Sequence, residues 1–170
     1  MRTRTPHPHT AKAPSTWPLV SALMLLTLLA LLALPVFAWA QAVGEPVGYV
    51  KTVTGQAWVI TNGESTKAQP GTAVMVGSQL KTGGAASLGL TFKDDTVMSI
   101  GPGTELIVDE YQYEPAQGAL KLSTRLLKGS LNYLSGVIAK LQPDAVTIKT
   151  PTGIIGVRGT QFVAKVQDAP

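Results

Sequence analysis

Apolar and polar residues alternate along most of the chain after residue 43. Ala86, Leu88, Leu90 and Phe92 interleave with Ser87, Gly89, Thr91 and Lys93, which puts four apolar side chains on one face of a strand. Leu106 and Val108 alternate with Glu105 and Asp109, Leu120 and Leu122 with Lys121 and Ser123, and Val146 and Ile148 with Thr147 and Lys149. Phe162, Ala164 and Val166 alternate with Lys165 and Gln167. Each pattern predicts a half-buried strand. Between them fall turn signals: Thr61-Asn62-Gly63, Gly83-Gly84, Lys93-Asp94-Asp95, Gly101-Pro102-Gly103, Gln117-Gly118 and Gln142-Pro143-Asp144. Regular short strands with glycine and proline turns predict an all-β domain, with a twisted sheet of solenoid-like or sandwich-like path. Segment 131–141, "LNYLSGVIAKL", also fits a short amphipathic helix. Gly136 and the β-branched Val137 and Ile138 favour strands there. Gly71, Gly77, Gly83 and Gly89 recur every six residues, a weak sign of a coiled path, because the apolar residues between them do not recur in phase.

The pattern before residue 43 is different. Arg2, Arg4 and Lys12 precede an almost wholly apolar run over residues 19–34, followed by Pro35 and "VFAWAQA". A basic lead, an apolar run and small residues in A-x-A spacing predict a secretory signal peptide over residues 1–42. Cleavage fits after Ala40 or after Ala42, and the second frame, between Ala42 and Val43, is preferred. The alternative is an uncleaved membrane anchor, since the run is close to the shortest that spans a bilayer. Without cysteine, a lipid-anchored lipoprotein is excluded.

Removing that leader changes the charge balance and the available chemistry. Taking Arg2, Arg4 and Lys12 from the 14 basic residues leaves 11 against all 10 acidic ones, a balance of +1 for a domain over residues 43–170. That carries no footprint for nucleic acid, which requires a strongly basic surface. His7 and His9 are the two histidines, so the domain has neither His nor Cys. Imidazole and thiolate zinc sites, cysteine nucleophiles and histidine-dependent triads are thereby excluded. A flat stability profile between pH 5 and 8 is also expected, because no side chain with an ordinary pKa in that window remains.

Several stretches together carry a resemblance: "GYVKTVTGQAWV", "PGTAVMVGSQLKTG", "SLGLTFKDDTVMSIGPGTEL", "LLKGSLNYLSG" and "VTIKTPTGIIGVRGTQFVAKV". From Gly48 to Val166 the chain resembles the FecR domain of Gram-negative envelope proteins. The specific part is the terminal pattern of Thr150, Pro151, Arg158, Gly159, Thr160 and Phe162. The resemblance implies an all-β periplasmic domain. The family's namesakes are membrane-spanning regulators that relay an outer-membrane signal to an extracytoplasmic sigma factor. About 18 proline-broken residues precede the apolar run here, too few for a sigma-binding helical bundle, so no direct sigma-factor contact is expected.

The candidate residues lie mainly in segment 150–162, "TPTGIIGVRGTQF", where Gly153, Gly156 and Gly159 are spaced three apart around Arg158. The spacing is not that of a dinucleotide or phosphate loop, and strand-like residues follow instead of a helix. A close backbone approach or a bulge is the expected reason for the glycines. Arg158 is read as architectural, its fixed fork of donors matched by backbone carbonyls or by a carboxylate from Asp109, Glu110 or Asp144. Asp94-Asp95 reads as a hairpin turn in preference to a calcium ligand pair, and the scattered carboxylates make a generic glycosidase pair at most. Ser99, Ser130 and Ser135 lack a base and a nucleophile elbow. Trp58, Tyr111, Tyr113 and Tyr133 suit cross-strand packing better than a sugar or peptide groove. The sequence thus predicts a non-enzymatic exported domain with no cofactor and no metal. Its expected partner is an envelope protein or glycan, and it meets the membrane only through an uncleaved leader.

Overall fold

A computed structural model describes residues 44–157 and 160–167 of the chain. The strands are β1 (Gly48–Thr54), β2 (Ala57–Thr61), β3 (Glu64–Lys67), β4 (Ala73–Val74), β5 (Gln79–Thr82), β6 (Ser87–Phe92), β7 (Val97–Ile100), β8 (Glu105–Glu114), β9 (Ala119–Leu134), β10 (Val146–Thr150), β11 (Gly153–Gly156) and β12 (Gln161–Val166). Among the described residues, one short α-helix, α1 (Val137–Leu141), and two 3-10 turns, Pro115–Gln117 and Pro143–Ala145, lie between strands. The fold is all-β, as the alternation predicts.

The strands form one curled sheet whose two halves share β9. One half runs β4-β1-β6-β7-β9-β12 and the other β3-β2-β5-β8-β9-β10-β11. β7 and β8 run antiparallel to successive stretches of β9, which therefore passes from one half to the other. The passage occurs at Gly129, where φ is +88° and an added Cβ would overlap Thr104. Only glycine takes that conformation at such close range. Buried hydroxyls pin the corner: Ser130 N donates to Thr104 Oγ1 at 3.0 Å, and Thr104 N donates to Thr82 Oγ1 at 2.9 Å.

The inner faces of both halves meet in a single core. Leu88, Leu90, Phe92, Met98 and Ile100 from one half pack with Val59, Leu80, Leu106, Val108 and Ile148 from the other. Burying an aliphatic side chain of this size contributes about 1.5–3 kcal/mol against the entropy of ordering the chain. The turn signals mark real turns. Asn62 and Gly63, both at positive φ, close the β2–β3 hairpin, and Asp95, at φ +64°, lies in the β6–β7 turn. The six-residue glycine repeat does not mark stacked coils. Gly71 and Gly77 turn the chain at positive φ, whereas Gly89 lies inside β6, whose neighbours β1 and β7 both run antiparallel to it.

Segment 131–141 is strand only in its first part, where strands are expected throughout. β9 runs to Leu134, and Val137–Leu141 is helical. The reason is a tertiary cap from the β6–β7 turn: the Asp94 carbonyl accepts from Val137 N at 2.7 Å, and its carboxylate accepts from Ile138 N at 3.2 Å. Asp94 satisfies two of the amide groups that a helix start leaves unpaired, and this outweighs the weak β preference of Val137 and Ile138.

Candidate functional site

β10 follows α1 and joins β9 in parallel, Val146 opposite Leu122 and Lys149 opposite Arg125. Val146 and Ile148 anchor it, both fully buried. The chain then reverses through Pro151 and Thr152. Thr150 Oγ1 holds the reversal, donating to the Gly153 carbonyl at 2.9 Å and accepting from Gly153 N at 3.1 Å. β11 pairs with β10, and β12 returns antiparallel to the far stretch of β9, with Val163 opposite Asn132. Phe162 stacks on the buried Tyr133 at 5.1 Å between ring centres, and the Thr160 carbonyl accepts from Ser135 N at 2.8 Å. The predicted motif is therefore a hairpin and a strand flanking one corner of the sheet.

Between them lies a groove of about 600 Å³. Ile155, Ala164 and Val166 give it apolar walls, while Thr152, Ile154 and Lys165 line it as exposed residues. Among the described residues, β11 pairs only with β10 and β12 only with β9, so each presents an outer edge of backbone donors and acceptors. Ile154 and Val163 are 70% and 71% exposed, the largest values among the exposed large apolar side chains. Such an edge beside an apolar groove suits an extended polypeptide, which can pair its backbone and bury alternate side chains.

Two expectations for this segment need revision or fall elsewhere. Close backbone approach does not explain Gly153 and Gly156: a Cβ at either would meet nothing within 4 Å, because β11 lies open at the sheet edge. Arg158 and Gly159, like the cleavage point expected between Ala42 and Val43, lie outside the described residues. Of the acceptors considered for Arg158, Asp109 is engaged by Arg125 at 2.6 Å and Lys149 at 3.5 Å.

The family model described as FecR protein matches residues 78–170, more than half of the 170-residue chain. This chain belongs to the FecR family. No curated protein and no solved structure matches it.

Within this FecR domain the other candidate side chains are dispersed. Tyr133 is buried beneath Phe162, and Tyr111 stacks on Phe92 at 5.4 Å. Both act as packing residues. Tyr113 packs against the core and, with Tyr111, lines a second groove of about 490 Å³ that also involves Met75 and Val76. Asp94 is fully buried, accepting from Thr96 Oγ1 at 2.7 Å, from Ile138 N and from the Tyr111 hydroxyl at 3.3 Å. Burial pushes the Tyr111 phenol well above its ordinary pKa, and the nearby Asp94 charge pushes it further. Burial likewise raises Tyr133, partly offset by the Ser135 and Thr96 hydroxyls. Asp94 is thus a structural carboxylate, a role that its sequence position in a turn did not reveal. Among the described residues no three His, Cys, Asp or Glu side chains gather as a metal site, and no helix is long and apolar enough to cross a membrane.

Proposed function

We propose that residues 43–170 form an exported, non-enzymatic binding domain of the bacterial envelope. In this reading the domain holds an extended segment of a partner protein in signalling or envelope assembly. Membership of a regulatory, envelope-associated family supports the setting and the lack of catalysis. The observation that carries the binding role is the groove beside the outer edges of β11 and β12, whose lining mixes apolar walls with Thr150, Thr152, Lys165 and Gln167. Strand addition supplies affinity through backbone hydrogen bonds, and the apolar walls select for alternate apolar side chains. The carboxylates do not favour a hydrolase: Asp94 is buried as a cap, and Glu105 and Asp109 are each held by two cations.

Photo-crosslinking in intact cells tests this. A crosslinking residue at Ile154 or Val163 should capture one envelope protein, and the same residue at Ser65 on β3, the opposite border of the sheet, should not. Capture at Ser65 alone, or at no position, rejects the assignment.

A further inference from the structure

Charge is clustered on one of the two outward faces of the sheet, whereas the other exposes Lys51 on β1 and Lys165 on β12, strands that are not neighbours. On the half that contains β4, β1, β6, β7 and β12, register aligns Ala73, Tyr49, Thr91, Val97, Leu134 and Gln161 in one row without a single charge. On the other half, one row reads Lys67, Trp58, Lys81, Glu105, Lys128 across β3, β2, β5, β8 and β9. The next reads Ser65, Ile60, Gln79, Ile107, Arg125, Lys149, Ile154 and extends to β11.

These two rows and the adjoining bulge at Asp109 hold five cations and two acids, a balance of +3, whereas residues 43–170 as a whole balance at +1. The remainder of the domain is accordingly at −2. Each acid is shared by two cations: Glu105 lies 3.5 Å from Lys81 and 3.4 Å from Lys128, and Asp109 bridges Arg125 and Lys149. Internal pairing therefore leaves a net positive charge on each triad, with Lys67 beside them. The same face turns acidic towards the tip of the β8–β9 hairpin, where Glu110 and Glu114 outnumber Lys121, and this bounds the patch.

We infer that this basic face docks on the surface of an anionic phospholipid bilayer. Three features select that occupant. The excess charge is positive and calls for anions. Four of the five cations are lysine, a residue depleted from protein interfaces and well suited to phosphate as a mobile point charge. Trp58, Ile60 and Ile107 lie half-buried between the charged side chains, with Ile154 exposed at the end of the row. That mixture of aromatic, aliphatic and lysine side chains suits the boundary between headgroups and acyl chains, with the lysine stems lying along apolar surface. The inference adds a surface that meets the partner-binding groove at Ile154, and it needs only the envelope location from that reading.

The test is flotation of the purified protein with vesicles, which reads the face independently of any protein partner. Vesicles of one part phosphatidylglycerol to two parts phosphatidylcholine should bind it roughly a hundredfold better than phosphatidylcholine alone, as about three net charges near the surface imply. Raised salt should abolish the difference. Lys67→Gln, Lys81→Gln and Lys128→Gln together should reduce binding to the level of neutral vesicles. The corresponding arginine triple should keep it, as should Lys51→Gln, Lys140→Gln and Lys165→Gln together. Equal binding to both vesicle types, no binding to either, or equal loss in the two glutamine triples overturns the inference. Retention on immobilised polyglutamate without vesicle binding assigns the face to an acidic protein instead.

Discussion

Asp94 is where a single side chain decides most in this fold. Its carboxylate gathers Thr96, Ile138 and Tyr111 in a fully buried position, and its backbone amide donates to the Tyr111 hydroxyl at 2.9 Å. Asp94→Ala strands those donors away from water and should cost about 3 kcal/mol, the scale for several lost bonds to a charged group, read from denaturant midpoints. Asp95→Ala in the same turn, exposed and outside that network, should cost far less. The tyrosines supply a pH prediction. Tyr111 and Tyr133 hold their protons more tightly in the folded chain than at the ordinary value of 10.0. Stability is therefore intact below that pH and falls as pH rises past it, because the unfolded chain releases those protons first. Absorbance titration should show two of the four tyrosines ionising only as the protein unfolds, and Tyr111→Phe should lessen the alkaline loss. Between pH 5 and 8 thermal melts should superimpose.

At the scale of elements, Gly129 and Gly136 are the two glycines where an added Cβ would come closest to backbone. Gly129 bends β9 against Thr104, and Gly136 lets the start of α1 approach Asp94 and Thr96 so closely that a Cβ would overlap their backbone. Gly129→Ala and Gly136→Ala should each destabilise by about 3 kcal/mol, combining overpacking with, at Gly129, the left-handed backbone. Gly63→Ala, also at positive φ but with open space around it, should cost only about 1 kcal/mol. Equal losses at Gly63 and Gly129 in urea titrations would show that conformation alone sets the requirement at Gly129, and no loss at Gly136, where φ is −92°, would remove the close-packing account there. The hairpins were legible because Asn62-Gly63 and Lys93-Asp94-Asp95 have local turn chemistry. α1 was not, since the groups that cap it are 40 residues and more away in sequence.

For the whole domain, β9 is the shared member. One strand serves both halves of the sheet, and one core joins their inner faces, so neither half has a separate set of buried contacts to retain when the other opens. Residues 44–167 should unfold in a single transition, with circular dichroism and Trp58 fluorescence coinciding in a chain trimmed to residues 43–170, where Trp58 is the one tryptophan. Two separated transitions would mean that the halves fold independently despite the common strand. The candidate groove belongs to this scale as well. It exists because β10–β11 and β12 flank the same corner of the sheet without closing it.

Local pattern determined the class of fold, the faces of β6, β8, β10 and β12, and the places where the chain turns, because alternation and turn chemistry act over a few residues. Composition removed histidine and cysteine chemistry outright, and the motif from Thr150 to Phe162 disclosed the family. Only the tertiary structure decided which strands became neighbours, since pairing joins residues such as Trp58 and Lys81, or Val146 and Leu122, that no local rule connects. It made Asp94 a buried cap and left Gly153 and Gly156 open. It also aligned Lys67, Trp58, Lys81 and Lys128 across strands distant in sequence, so the basic face emerged from a region, residues 43–170, whose overall charge is close to neutral. Charge and shape at a surface depend on register between strands, and register is set by packing across the whole core.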